Sequence, residues 1–199
     1  MDFMRIIALL AVLFFTLPSI VNADDVLNSM KKAEELYEKG NYSQAVSELQ
    51  LAIGLIKDKQ VDRYKLVLPG PPSGWSIEQS QGSRGSGLGL GAGVTVSRTY
   101  RGPGDQRVKV EVDVDSPLVL GLAMILANPI LMGNNRIVTV NGEKAIEEWD
   151  SASGSGKLQI IILNRVVVIV SGSNLRSKDV LYDFGEKIDF NKIKKIIQE

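Results

Sequence analysis

Residues 158–170 read LQIIILNRVVVIV: two nearly continuous β-branched and aliphatic runs, Leu158 to Leu163 and Val166 to Val170, turning at Asn164-Arg165. Such side chains fit a pleated surface, and a run without polar alternation suits a strand covered on both faces. The stretch predicts two central strands. Upstream, Arg136 to Val140 and Glu143 to Trp149 flank Asn141-Gly142. That dipeptide takes the two positive-φ positions of a type I′ turn, so a second hairpin is expected. Ser151 to Gly156 forms the loop between the two pairs.

A third hairpin precedes them. Val94, Val96 and Tyr100 alternate on the way out, and Val108, Val110, Val112 and Val114 alternate on the return, with Gly102-Pro103-Gly104-Asp105 between. The apolar sets share one face only if the connecting loop has an odd length, and three residues is the expected length, because a one-residue slip inverts a strand. Thr95, Ser97 and Thr99 then share the opposite face with Glu111, Asp113 and Asp115. Alternate residues on a strand lie about 7 Å apart. The three carboxylates read either as a solvated strand face or as oxygen ligands for calcium.

Tyr64 to Leu68 is read as the first, short strand, ended by the turn Pro69-Gly70-Pro71-Pro72-Ser73-Gly74 ahead of Trp75. Residues 79–93 carry glycines at 82, 85, 87, 89, 91 and 93 and are expected to form a flexible loop. Neither the dinucleotide glycine spacing nor a closing Gly-Lys-Ser/Thr is present, and Val94 to Tyr100 reads as strand rather than helix, so no phosphate cradle is expected.

Ser116 and Pro117 can open a helix, and Leu118 to Ala127 continues it without a charge until Asn128-Pro129 disturbs it. A helix apolar on all sides is expected in a core. The alternative is an exposed patch, taken by a partner or a lipid, around Leu118, Leu122, Ile125 and Met132. At the C-terminus a helix begins near Ser177 to Asp179 with Val180, Leu181, Phe184 and Ile188 on one face, and a short closing helix carries Ile193, Ile196 and Ile197. The order over residues 61–199 is thus β-β-β-α-β-β-β-β-α. It predicts the α+β class, an antiparallel sheet with helices packed on it.

Ahead of this domain, residues 24–60 follow helical periodicity. Two amphipathic helices, about 26 to 39 and 42 to 57, meet at Gly40-Asn41. Ala33, Leu36, Gly40, Tyr42, Ala45, Leu49 and Ala52 resemble the small, large, turn and aromatic positions of one tetratricopeptide repeat. The resemblance implies a groove lined by Met30, Glu34, Tyr37 and Glu38, with Tyr42 among the packing residues. A single repeat has no neighbouring repeats to cover its sides. Its apolar surface is therefore expected to meet its own domain, a second protomer or a partner. The strand and helix order over about 64–197, with the Pro-Pro-Ser-Gly-Trp turn at 71–75, resembles the PsbP/Mog1-like sandwich family. That likeness implies a largely non-enzymatic role, adaptor or assembly, through binding of proteins or small ligands.

The first residues read as an export signal. Arg5 supplies a positive start, Ile6 to Leu17 an apolar run broken only by Thr16, and Val21-Asn22-Ala23 a small-residue cleavage motif. Cleavage after Ala23 is expected, giving a periplasmic or secreted chain that starts at Asp24. The run of about a dozen residues is shorter than the roughly 20 of a spanning helix, and no stable transmembrane span is expected in the mature chain.

Residue types that are missing restrict the chemistry. The chain has no histidine and no cysteine, which excludes Ser-His-Asp triads, thiol nucleophiles and His- or Cys-ligated metals. With 23 lysines plus arginines against 23 aspartates plus glutamates there is no global charge to attract nucleic acid. No cofactor or metal is expected. The leading functional reading is a non-enzymatic interaction or assembly protein with a protein partner or a homodimer. The alternative is a carrier of a small apolar ligand or lipid using residues 117–132. An enzyme would need two of Glu111, Asp113, Glu147 and Glu148 to converge in a pocket.

Overall fold

The computed structural model describes residues 24–84, 93–128, 133 and 135–199. The export reading of residues 1–23, the glycines from 85 to 91 and Met132 lie outside these residues. Two helices, α1 (Asp25–Glu38) and α2 (Tyr42–Lys65), precede seven strands: β1 (Ser76–Arg84), β2 (Val94–Arg101), β3 (Arg107–Val114), β4 (Arg136–Val140), β5 (Glu143–Asp150), β6 (Ser155–Ile162) and β7 (Val166–Ser173). Helix α3 (Leu118–Ala127) links β3 to β4, and α4 (Asp179–Gly185) and α5 (Phe190–Gln198) close the chain. The strands form one antiparallel sheet in the order β1-β2-β3-β7-β6-β5-β4. It consists of two meanders joined where β3 pairs with β7. The protein is of the α+β class.

The hydrophobic pattern sets the register. Val94 pairs with Val114, Val96 with Val112 and Tyr100 with Val108, so both apolar sets share a face. The connecting loop, Gly102 to Gln106, has five residues rather than three; its parity is the one the pattern demands. Asn141 and Gly142 both have positive φ, as expected for the β4–β5 turn. At the β6–β7 turn the positive-φ pair is Leu163-Asn164, one residue earlier than expected.

Each face of the sheet has its own cover. The first face is closed by Val61 and Tyr64 of α2, Leu181 and Phe184 of α4, and Phe190 and Ile193 of α5. Phe184 sits at its centre, edge-on to Trp75 with ring centroids 5.0 Å apart and 4.7 Å from the Tyr100 ring. On the second face, Val119 and Leu122 of α3 pack on Ile146, Ile161 and Val167. Strands β6 and β7 thus carry apolar residues on both faces.

Three expectations are corrected. Tyr64 and Lys65 end α2, and Leu66 to Leu68 continue as a turn with Val67 bonded back to Tyr64, where a strand had been expected. Residues 58–65 hold no glycine or proline, so nothing stops the helix before Pro69. The first strand is instead β1, which takes up residues 79–84 of the expected glycine loop. Gly82 is required there, because a Cβ at that position would collide with Val61 and Lys65 of α2. Thirdly, α3 is not a core helix. Leu118, Leu120 and Met124 are exposed, since one helix on one sheet face buries one stripe only.

Candidate interaction surfaces

The hairpin is held by small residues. Ala33 of α1 and Ala45 and Ala52 of α2 are buried, with Val26 and Ser29 beside them. Lys32 and Glu48 bridge the helices at 2.5 Å and Asp24 meets Lys59 at 3.5 Å. Between the helices, Gly40 adopts φ 75°, and the amides of Gly40 and Asn41 bond to the carbonyls of Tyr37 and Leu36, closing α1. Only the second half of α2 reaches the sheet, where Val61 and Tyr64 enter the core.

The first half of α2 and the outer side of α1 are left uncovered. Tyr42, Val46, Leu49, Ile53 and Ile56 recur at i, i+4, i+7, i+11 and i+14 and form one stripe, of which Ile53 alone is half-buried and the others are exposed. On α1, Met30, Glu34, Tyr37 and Glu38 are all exposed on one side, with Leu27 nearby. The Tyr37 and Tyr42 rings lie 5.5 Å apart, which places the two stripes side by side. All four groove residues named from the sequence therefore lie on one open surface. Tyr42 does not pack as expected. It is 63% exposed against 66% for Tyr37, because it is the first residue of α2 and the helix enters the core only through Val61 and Tyr64 near its other end. Glu34 and Glu38 meet no cation among the described residues.

The second surface is α3. Leu122 is buried and Ile125 half-buried against the sheet, while Leu118 faces solvent, so the predicted patch residues divide between core and surface. The main exposed side chains, Leu120 and Met124, were not singled out from the sequence. Their i, i+4 spacing opposite Val119 and Leu122 was the available signal. No helix among the described residues is long and apolar enough to cross a membrane.

The strand carboxylates do not act together. Glu111 pairs with Lys109, and Asp115, at φ 50°, leaves the strand and takes a two-pronged bond from Arg165 at 2.7 and 2.8 Å. Asp113 is 5% exposed and accepts a 2.6 Å bond from Thr95, so it belongs to no solvated face; burial pushes its carboxyl up, and the Thr95 bond opposes that only in part. Among the described residues, no three such side chains gather to hold a metal ion. The calcium reading therefore lacks its ligand set.

Glu147 and Glu148 point to opposite faces of β5. Glu148 meets Lys157 at 2.9 Å, whereas Glu147 turns to the α4 side, where it is 4% exposed. Lys178 donates to both its oxygens at 3.0 and 2.9 Å and Tyr182 to one at 2.6 Å. Burial alone would raise the Glu147 carboxyl; the bonds from Tyr182 and Lys178 outweigh it and hold the group below the ordinary range. The Tyr182 hydroxyl is pushed far up by burial and by its hydrogen bond to the negative Glu147 carboxylate. Every Glu147 oxygen is thus engaged in fixing α4 to the sheet, and Arg136 and Trp149 line the shallow pocket of about 300 Å³ beside it.

The chain is an α+β protein with two exposed apolar helical surfaces, on the α1–α2 hairpin and on α3. Comparison with protein-family models, with curated proteins and with solved structures gives no match in any of the three.

Proposed function

We propose that this is an exported, non-enzymatic interaction protein, in which the sheet domain is a rigid base and the α1–α2 hairpin carries the partner-binding face. The observation that supports this reading is the open stripe of Tyr42, Val46, Leu49 and Ile56 beside Met30 and Tyr37. An exposed contiguous apolar surface marks a contact site in most soluble proteins. Aromatic side chains and methionine are the residue types enriched at such sites. The likeness to one tetratricopeptide repeat and to the PsbP/Mog1-like sandwich agrees with this role, and the periplasmic or secreted location rests on the leader composition. Carriage of an apolar ligand has less support, since Val119 and Leu122 lie directly on the sheet.

Export and binding are tested together. Mass spectrometry of the exported chain should give Asp24 as its first residue. Deleting residues 24–60 would leave only the last turn of α2, which carries Val61 and Tyr64 into the core, so point changes are the sounder probe. Leu49→Asp should abolish capture of the partner from periplasmic extract and any self-association in sedimentation, with the melting temperature kept. Unchanged capture and unchanged sedimentation in that variant would overturn the hairpin assignment.

A further inference from the structure

We propose that the outer side of α3, together with Leu163 and Ile137, is a membrane-contact surface that seats in the boundary between headgroups and acyl chains of a phospholipid bilayer. This goes beyond the hairpin reading and concerns another part of the molecule.

Three observations converge on it. Leu120 is 72% and Met124 66% exposed, one turn apart on the side of α3 that faces away from the sheet. Ile137, also exposed, pairs in register with Ile146, the residue on which α3 packs, so it opens on the same face. Leu163 is the most unusual of the set. It occupies a tight turn at φ 49° with its side chain exposed, a conformation that L residues with a full side chain rarely adopt. The equivalent turn between β4 and β5 uses Asn141-Gly142, which takes these angles with little strain. A leucine placed in this strained turn, with its side chain in solvent, points to a use for that side chain outside the fold. Its neighbour Asn164 lines a depression of about 350 Å³ shared with Pro117 and Leu120, so the turn stands next to the start of α3.

The charges select the occupant. From Ser116 to Asn135 the sequence has no charged residue. On this side of the sheet the carboxylates are paired, Asp115 with Arg165, Glu148 with Lys157 and, farther from α3, Glu111 with Lys109, whereas exposed Lys144 is held by no carboxylate among the described residues. A protein partner is registered by polar and charged pairs, of which this surface offers few. A bilayer needs only an apolar centre and a neutral to positive rim against lipid phosphates. Ten helical residues span about 15 Å, half of a hydrocarbon core, so α3 lies on the bilayer and does not cross it.

The absence of cysteine gives a local test in the full chain. An environment-sensitive dye is attached through Met124→Cys, or through Tyr42→Cys on the hairpin, and vesicles of phosphatidylcholine with phosphatidylglycerol are added. The dye at position 124 should shift to the blue and the dye at position 42 should not. Leu120→Gln should weaken the response at position 124 about tenfold, the loss expected for one leucine kept out of hydrocarbon. Leu163→Asn should weaken it too while raising the melting temperature, opposite signs that a purely structural leucine cannot give. Leu49→Asp should leave the vesicle response intact, which separates this surface from the hairpin. A dye at position 124 that stays in water with vesicles present overturns the proposal. So does a dye already shielded without lipid in a chain that sediments as a dimer, because the face then belongs to a second copy.

Discussion

Tyr37 and Tyr42 face each other across the Gly40 turn with ring centroids 5.5 Å apart and planes tilted by 56°, yet both rings remain mostly in water. Their contact closes no core. Tyr37→Ala and Tyr42→Ala should each cost only about 0.5–1.5 kcal/mol, the worth of a mutual aromatic contact, and should differ little from one another. Denaturant melts of the two variants check this. A loss of about 3 kcal/mol or more at Tyr42, the cost of truncating a buried aromatic, would mean that the ring packs after all.

The alanines between α1 and α2 set the helix spacing. Ala33→Leu or Ala45→Leu should force the helices apart and cost about 1–3 kcal/mol, because extra methylenes in a filled contact displace backbone. The same change at exposed Gln44 should be nearly neutral. Equal effects at Ala45 and Gln44 in thermal melts would contradict the packing described.

Glu147 couples α4 to the sheet through Lys178 and Tyr182. Glu147→Gln should cost about 2 kcal/mol near neutral pH, the scale of a charge-assisted bond, lowered from that of a fully buried pair because Lys178 is partly in water. The folded carboxyl lies below its unfolded value. Its contribution is therefore present above the ordinary glutamate range and is lost as pH falls through the depressed value. The gap between wild type and variant should narrow on acidification, which melts across an acid series will show.

Asp113 has the opposite sign. Its folded carboxyl is raised by burial, so the native state keeps a proton that the unfolded chain has released. Stability from this group is full below the ordinary aspartate range and declines as pH rises through the raised value. Asp113→Asn, whose amide oxygen can still accept from Thr95, should flatten that decline and match or exceed the wild type at neutral pH. A variant clearly less stable than wild type at neutral pH would show that the charged form is the one the fold prefers.

Much of the sheet was legible because strand periodicity is local. The valines of β2 and β3 and the Asn-Gly turn fixed faces and parity without knowledge of any neighbour. Helix ends were legible where a cap or breaker stood, as at Gly40. They were missed where the chain had none, as between Lys57 and Lys65. Of the candidate residues, Met30, Glu34, Tyr37 and Glu38 came from the resemblance to one tetratricopeptide repeat and all fall within a single helix, whereas the fates of Leu118 and Leu122 depended on which side of α3 met the sheet.

Composition determined what this chain lacks, histidine and cysteine, and hydrophobic period determined its α+β class, since both are properties of the chain read residue by residue. The tertiary structure decided which side chains stay wet. Tyr42 reads as a packing residue until α2 is seen to enter the core only near its far end, and Asp113 reads as a solvated carboxylate until its surroundings close over it. Exposure depends on elements distant in sequence, and a periodicity confined to one segment carries no record of what is laid against it.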